Sequence, residues 1–85
     1  MDKDLLKAKV CAAIDDSAAE IEALANSIAD EPELGFKEVK TSAKVAEFMR
    51  KLGLDPQMGL AINGVKARAK GCKAGPTAAV IGELD

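Results

Sequence analysis

The amino-terminal part of the chain shows the periodicity of an amphipathic helix. Apolar or small residues recur every three or four positions, which places them on one face of a helix with about 3.6 residues per turn. No glycine or proline interrupts this run. The pattern predicts a first helix over about 4–28. Its apolar face comprises Leu6, Val10, Ala13, Ser17, Ile21, Leu24 and Ile28.

A break and a second helical pattern follow. Pro32 and Gly35 interrupt the first pattern, because proline disfavours helical backbone in the residue before it and glycine favours turns. The sequence then predicts a second helix over about 37–52. Gly53 is placed to take the left-handed conformation that often closes a helix. The predicted buried face comprises Val39, Ala43, Ala46, Met49 and Leu52, with Val45 and Phe48 beside them.

Beyond Pro56 the period changes from 3.6 residues to two. Apolar and basic residues alternate after Gly64, which predicts a half-buried strand over about 64–70. The run over about 77–82 is largely apolar, as is typical of a strand covered on both faces. Such a strand needs neighbours that are missing here, and the long first helix also lacks a cover. The predicted fold class is an α/β fragment, two helices followed by two β-strands. We interpret residues 1–85 as the amino-terminal part of one larger α/β domain.

Composition excludes several kinds of chemistry. The 85 residues contain no histidine, which rules out a Ser/His/Asp triad and an H-E-x-x-H zinc helix in this chain. A net charge of −2 gives no field that attracts nucleic acid or an anionic membrane, so neither is expected as a partner. Cys11 and Cys72 match no metal-binding spacing, and no signal peptide precedes them. We therefore expect two inert, reduced thiols in a cytoplasmic protein.

Two carboxylates follow the last predicted strand. Glu83 and Asp85 lie two positions apart, so an extended backbone projects both to the same side. Because ligands gather outside the carboxyl ends of strands in open α/β sheets, the pair could bind a metal or orient a ligand. The alternative is a solvated acidic segment. Pro32–Phe36 similarly admits two interpretations, a binding loop or a turn with a hydrophobic anchor.

The order of these segments resembles a known family. The run Pro32–Glu38, the Lys40–Ser42 helix start and the segment Gly75–Ile81 look like the beginning of the zinc-dependent amidohydrolase/aminoacylase/carboxypeptidase family. Glu83–Asp85 is similar to the G-E-x-D form of its aminobenzoyl-glutamate and N-acyl-amino-acid hydrolase-like branch. The resemblance implies a metallohydrolase catalytic domain. It also implies hydrolysis of amide bonds in N-acyl amino acids, aminobenzoyl-glutamate-like conjugates or small dipeptides.

The resemblance implies specific roles for the two carboxylates. Asp85 would orient a metal ligand that lies further along the parent protein, and Glu83 is a candidate metal ligand. The parent would be an enzyme using zinc or another divalent metal on a small amide substrate. This chain alone is expected to bind no cofactor and to be inactive, because a catalytic zinc site needs about three protein ligands. The alternative function is a stand-alone α+β interaction module, and exposed apolar surface predicts self-association in either case.

Overall fold

Two helices precede a two-stranded antiparallel sheet in the computed structural model, which describes residues 2–84. Helix α1 spans Lys3–Asp30, helix α2 Val39–Lys51, strand β1 Gln57–Leu60 and strand β2 Gly64–Lys66. The predicted fold class, two helices followed by two strands, is confirmed. The chain forms two compact units, residues 1–30 and residues 31–85, and each is described by itself. That both belong to one catalytic domain stays a prediction.

The first unit contains α1, a helix of 28 residues. It begins one residue earlier and ends two residues later than the helix predicted over about 4–28. Alanine is frequent along it, and alanine has the highest intrinsic helix propensity. None of its residues is buried. Large apolar side chains including Leu6, Val10 and Ile21 are about half exposed. Within residues 2–84, no helix is both long and apolar enough to cross a membrane.

Helix α2 ends as the sequence predicts. Gly53 has a φ of +84°, in the left-handed region that glycine enters without a steric penalty. Its N–H donates to the Arg50 carbonyl at 2.9 Å, and the Leu54 N–H donates to the Met49 carbonyl at 3.0 Å. These two bonds form a Schellman motif, which satisfies carbonyls that the end of a helix leaves unpaired.

The core of the second unit is small and partly polar. Ala46 is fully buried, and Thr41 and Ser42 are buried one turn earlier on α2. Val39 and Leu52, which the apolar pattern places on the buried face, are exposed instead. Among the described residues, no buried side-chain nitrogen or oxygen lacks a hydrogen-bond partner. The face of α2 that turns inward is therefore set by hydrogen bonding as well as by hydrophobicity.

Strands β1 and β2 form a hairpin. Gln57 pairs with Lys66 and Leu60 with Gly64, and the register shifts between these pairs. A Cβ at Gly64 would lie 2.5 Å from the Leu60 carbonyl oxygen, so the close approach at the base of the turn requires glycine.

The positions of the strands differ from the prediction. The strand predicted over 64–70 begins at Gly64 as expected but ends at Lys66. Strand β1 is not predicted from the sequence, because Gly59 interrupts the alternation of apolar and polar residues within it. The strand predicted over 77–82 is wrong, since those residues are in no strand. Val80 and Ile81 are 101% and 90% exposed. An apolar run becomes a strand only beside a hydrogen-bonding neighbour, and the described sheet contains β1 and β2 alone.

Candidate functional site

The segment Pro32–Glu38 is a structured entry to α2. Leu34 and Lys37 close a β-turn through a hydrogen bond of 2.9 Å from the Lys37 N–H to the Leu34 carbonyl. Phe36, inside the turn, has a φ of +63°, which costs free energy for a residue with a Cβ. Leu34 and Phe36 are 75% and 72% exposed. The interpretation of this segment as a turn is therefore correct, but its apolar side chains are not buried anchors.

The Glu33 side chain accepts hydrogen bonds from backbone N–H groups at the start of α2. Its Oε1 accepts hydrogen bonds from the Thr41 N–H at 2.7 Å and the Thr41 Oγ1 at 2.8 Å. Its Oε2 accepts from the Lys40 N–H at 3.2 Å. The residue at the usual capping position, Glu38, makes no side-chain cap. A carboxylate from outside the helix thus performs the capping role and lies against the positive end of the helix dipole.

Two carboxyl groups near this helix start have lowered pKa values. The pKa of Glu33 falls below its ordinary value of 4.5, chiefly because the Thr41 N–H donates to the charged form. The pKa of Glu31 is lowered chiefly by the charge of Lys44, with a further contribution from Lys40. Both Nζ atoms lie 3.4 Å from a Glu31 oxygen. Both glutamates therefore stay charged to a lower pH than an ordinary glutamate does.

Glu38 joins the same segment to the hairpin. Its side chain is buried, at 8% exposure, and its Oε2 accepts a hydrogen bond of 3.3 Å from the Asn63 Nδ2. Asn63 follows Ala61 and Ile62, two residues with positive φ values of 45° and 80°. The β1–β2 turn is thereby held against the amino-terminal end of α2.

These contacts border an open cleft of about 500 Å³ within the second unit. Phe36, Glu38, Asn63 and the candidate metal ligand Glu83 all line it. Glu83 thus borders the same cleft as a second carboxylate and an amide, two groups that the sequence does not single out as site residues. Asp85, the other predicted site residue, lies outside the described residues.

The cleft residues do not make a complete metal site. Among residues 2–84, no group of three or more histidine, cysteine, aspartate or glutamate side chains is arranged to hold a metal ion. Cys11 and Cys72 are free and exposed. A catalytic zinc site uses about three protein ligands, so the described part of the chain does not fit one by itself.

Two similarities relate the chain to known proteins. It is 39% identical over 59 residues to "Thermostable carboxypeptidase 2" of Saccharolobus solfataricus (strain ATCC 35092 / DSM 1617 / JCM 11322 / P2) and covers 15% of that protein. It is 40% identical over 55 residues to "Thermostable carboxypeptidase 1" of the same organism, covering 14%. These regions are 68% and 64% of the present chain. No family model and no solved structure matches. At a coarse level, the chain is related to peptidases.

Proposed function

We propose that this chain is the amino-terminal segment of a metal-dependent amidohydrolase or peptidase. The observation that supports this most directly is the identity of 39–40% to two thermostable carboxypeptidases. The proposed substrates are amides of N-acyl amino acids, aminobenzoyl-glutamate-like conjugates or small dipeptides. The parent would use zinc or another divalent metal.

The proposed role of this segment is structural support beside the reaction centre. The Glu33 cap and the Glu38–Asn63 hydrogen bond fix the walls of the cleft that Glu83 lines. Asp85, two residues further on, would orient a metal ligand supplied by the rest of the parent. Since the described residues lack a complete ligand set, the isolated chain would bind zinc no better than millimolar and would hydrolyse no acyl amino acid.

A chimera tests the proposal. The aligned residues of the Saccharolobus thermostable carboxypeptidase 2 are replaced by those of this chain, and cleavage of an N-blocked dipeptide is measured. We expect activity within about tenfold of the parent, because a true counterpart preserves the surroundings of the reaction centre. A control chimera carries an unrelated helix–turn–helix sequence of the same length and should be inactive. A chimera that unfolds cooperatively on heating yet has no activity would contradict the proposal.

The DNA beyond codon 85 provides an independent test. An open frame continuing as Ala-Leu-Pro and reaching further histidine and cysteine codons would support the hydrolase. An immediate stop within an intact operon would favour the second candidate, a stand-alone module that self-associates. The exposed apolar side chains of α1 are the observation that favours this alternative.

A further inference from the structure

The β1–β2 turn leads into the dipeptide Asn63–Gly64, and both residues line the open cleft. Asparagine is among the thermolabile residues of proteins, because the backbone nitrogen of the following residue can attack its side-chain carbonyl carbon. Gly64 has no Cβ, so its own side chain does not obstruct that approach. Asn63 is partly exposed and the preceding Ile62 is 64% exposed, so water reaches the same peptide bond.

The backbone of this turn is strained. The Asn63 N–H donates to the Ala61 carbonyl at 3.2 Å, which closes a three-residue turn around Ile62. Ile62 has a φ of +80°, an unfavourable value for a β-branched residue. The Asn63 Nδ2 donates to the Glu38 Oε2 at 3.3 Å and so joins the turn to the start of α2. A strained turn opens locally at a small cost in free energy, and here the asparagine amide opposes that opening.

We propose that Asn63–Gly64 is a site of spontaneous deamidation in this chain, and that the reaction detaches the β1–β2 turn from the start of α2. The Gly64 nitrogen bonds to the Asn63 Cγ, and the Cγ–Nδ2 bond breaks. Ammonia leaves with the proton of the Gly64 amide, and a cyclic imide remains. A water molecule then opens the imide, either at Cγ to give aspartate or at the main-chain carbonyl carbon to give isoaspartate. No atom is oxidised or reduced.

Both products remove the contact that holds the turn. A carboxylate at position 63 cannot donate to Glu38, and it replaces an amide whose Nδ2 lies 3.3 Å from the Glu38 Oε2. Two carboxylates at such a distance repel each other in their charged forms. Isoaspartate also adds a carbon atom to the main chain, next to the close approach of Gly64 to the Leu60 carbonyl. The reaction therefore exchanges a hydrogen bond for a repulsion at one wall of the cleft.

Mass spectrometry of the 85-residue chain tests the modification, with Asn26 as an internal control. Asn26 is exposed, but it lies inside α1, where the N–H of the following Ser27 belongs to the helical hydrogen-bond pattern. Trypsin places the two sites in separate peptides, 10–37 and 52–66. At about 37 °C and about pH 8, we expect Asn63 to convert to aspartate and isoaspartate at least about tenfold faster than Asn26. Equal rates, or conversion in the isolated peptide 52–66 but not in the folded chain, would overturn the proposal.

Amide hydrogen exchange tests the release of the turn. Asn63→Asp reproduces the aspartate product, and Gln57→Glu makes the same amide-to-carboxylate change at an exposed residue of β1. We expect residues 61–66 to exchange at least about fivefold faster in Asn63→Asp and less than about twofold faster in Gln57→Glu. Exchange at Gly53 and Leu54, beyond the other end of α2, should be unchanged in both variants. Equal exchange of residues 61–66 in the two variants, or faster exchange at Gly53 and Leu54 as well in Asn63→Asp, would overturn the proposed local release.

Discussion

Glu33 Oε1 accepts two hydrogen bonds from Thr41, one from its backbone N–H at 2.7 Å and one from its hydroxyl at 2.8 Å. The two residues are eight positions apart, so the bonds close the whole Pro32–Glu38 segment onto the start of α2. This segment includes the residues on which the family resemblance depends. The presence of Glu33 in this segment is thus explained by the start of α2, whose first N–H groups need a hydrogen-bond acceptor.

Removing this cap should destabilise the second unit. Glu33→Ala leaves the N–H groups of Lys40 and Thr41 without their side-chain acceptor, and we expect the midpoint of thermal unfolding to fall by a few degrees. Circular dichroism at pH 7 measures this. Glu47→Ala is the matched control, because Glu47 is an exposed glutamate within α2 that forms an ion pair with Arg50 at 3.4 Å and caps no helix end. Equal losses in both variants would contradict the capping role.

Acid should remove part of the same stabilisation. The folded-state pKa of Glu33 is lowered from 4.5, mainly by the Thr41 N–H, so its contribution is complete above about pH 5. It is lost as the pH falls through the lowered value. The midpoint of thermal unfolding should then decrease as the pH falls below about 5, and less steeply in Glu33→Gln. An unchanged slope in this variant would show that other carboxyl groups govern the acid response, Glu31 first among them.

The free energy of unfolding should depend on the hydrogen bond that Asn63 donates to the buried Glu38. Asn63→Ala leaves the Glu38 carboxylate without the donor that lies 3.3 Å away, and we expect a loss of about 1–3 kcal/mol in the free energy of unfolding. Asn63→Asp should cost more at pH 7, because it places a second negative charge at that distance. Urea unfolding measures both. Asn26→Ala, on the exposed surface of α1, is the control and should cost nothing; a comparable loss there would contradict the argument.

Phe36 should be replaceable with a gain in stability. Its φ of +63° is unfavourable for phenylalanine, whereas asparagine tolerates the left-handed region. Since the side chain is mostly exposed, Phe36→Asn loses little burial and should raise the free energy of unfolding by up to about 1 kcal/mol. Leu34→Asn, at an equally exposed position without positive φ, should give no gain. Destabilisation by Phe36→Asn in urea titration would show that the ring makes a necessary contact.

Local features of this fold follow from the sequence, whereas features that depend on distant residues do not. Gly53 is identified from its position alone, since a helix end needs a left-handed residue there. The Glu38–Asn63 bond joins residues 25 positions apart, and no periodicity marks it. The error over residues 77–82 has the same origin, because a strand is defined by its neighbour and not only by its own residues. Of the residues that line the cleft, the sequence analysis names Glu83 and Phe36 as candidates but not Glu38 or Asn63, and a role for any of them stays a prediction.

The exposure of Val80 and Ile81 makes this segment accessible to proteases. A protease must bind several residues in extended form, and residues 77–82 already lack regular hydrogen bonding while displaying small apolar side chains. An elastase-type enzyme would therefore cut here before it reached the capped helix α2 or the hairpin. The order in which fragments are released would report how firmly each part of the chain is held.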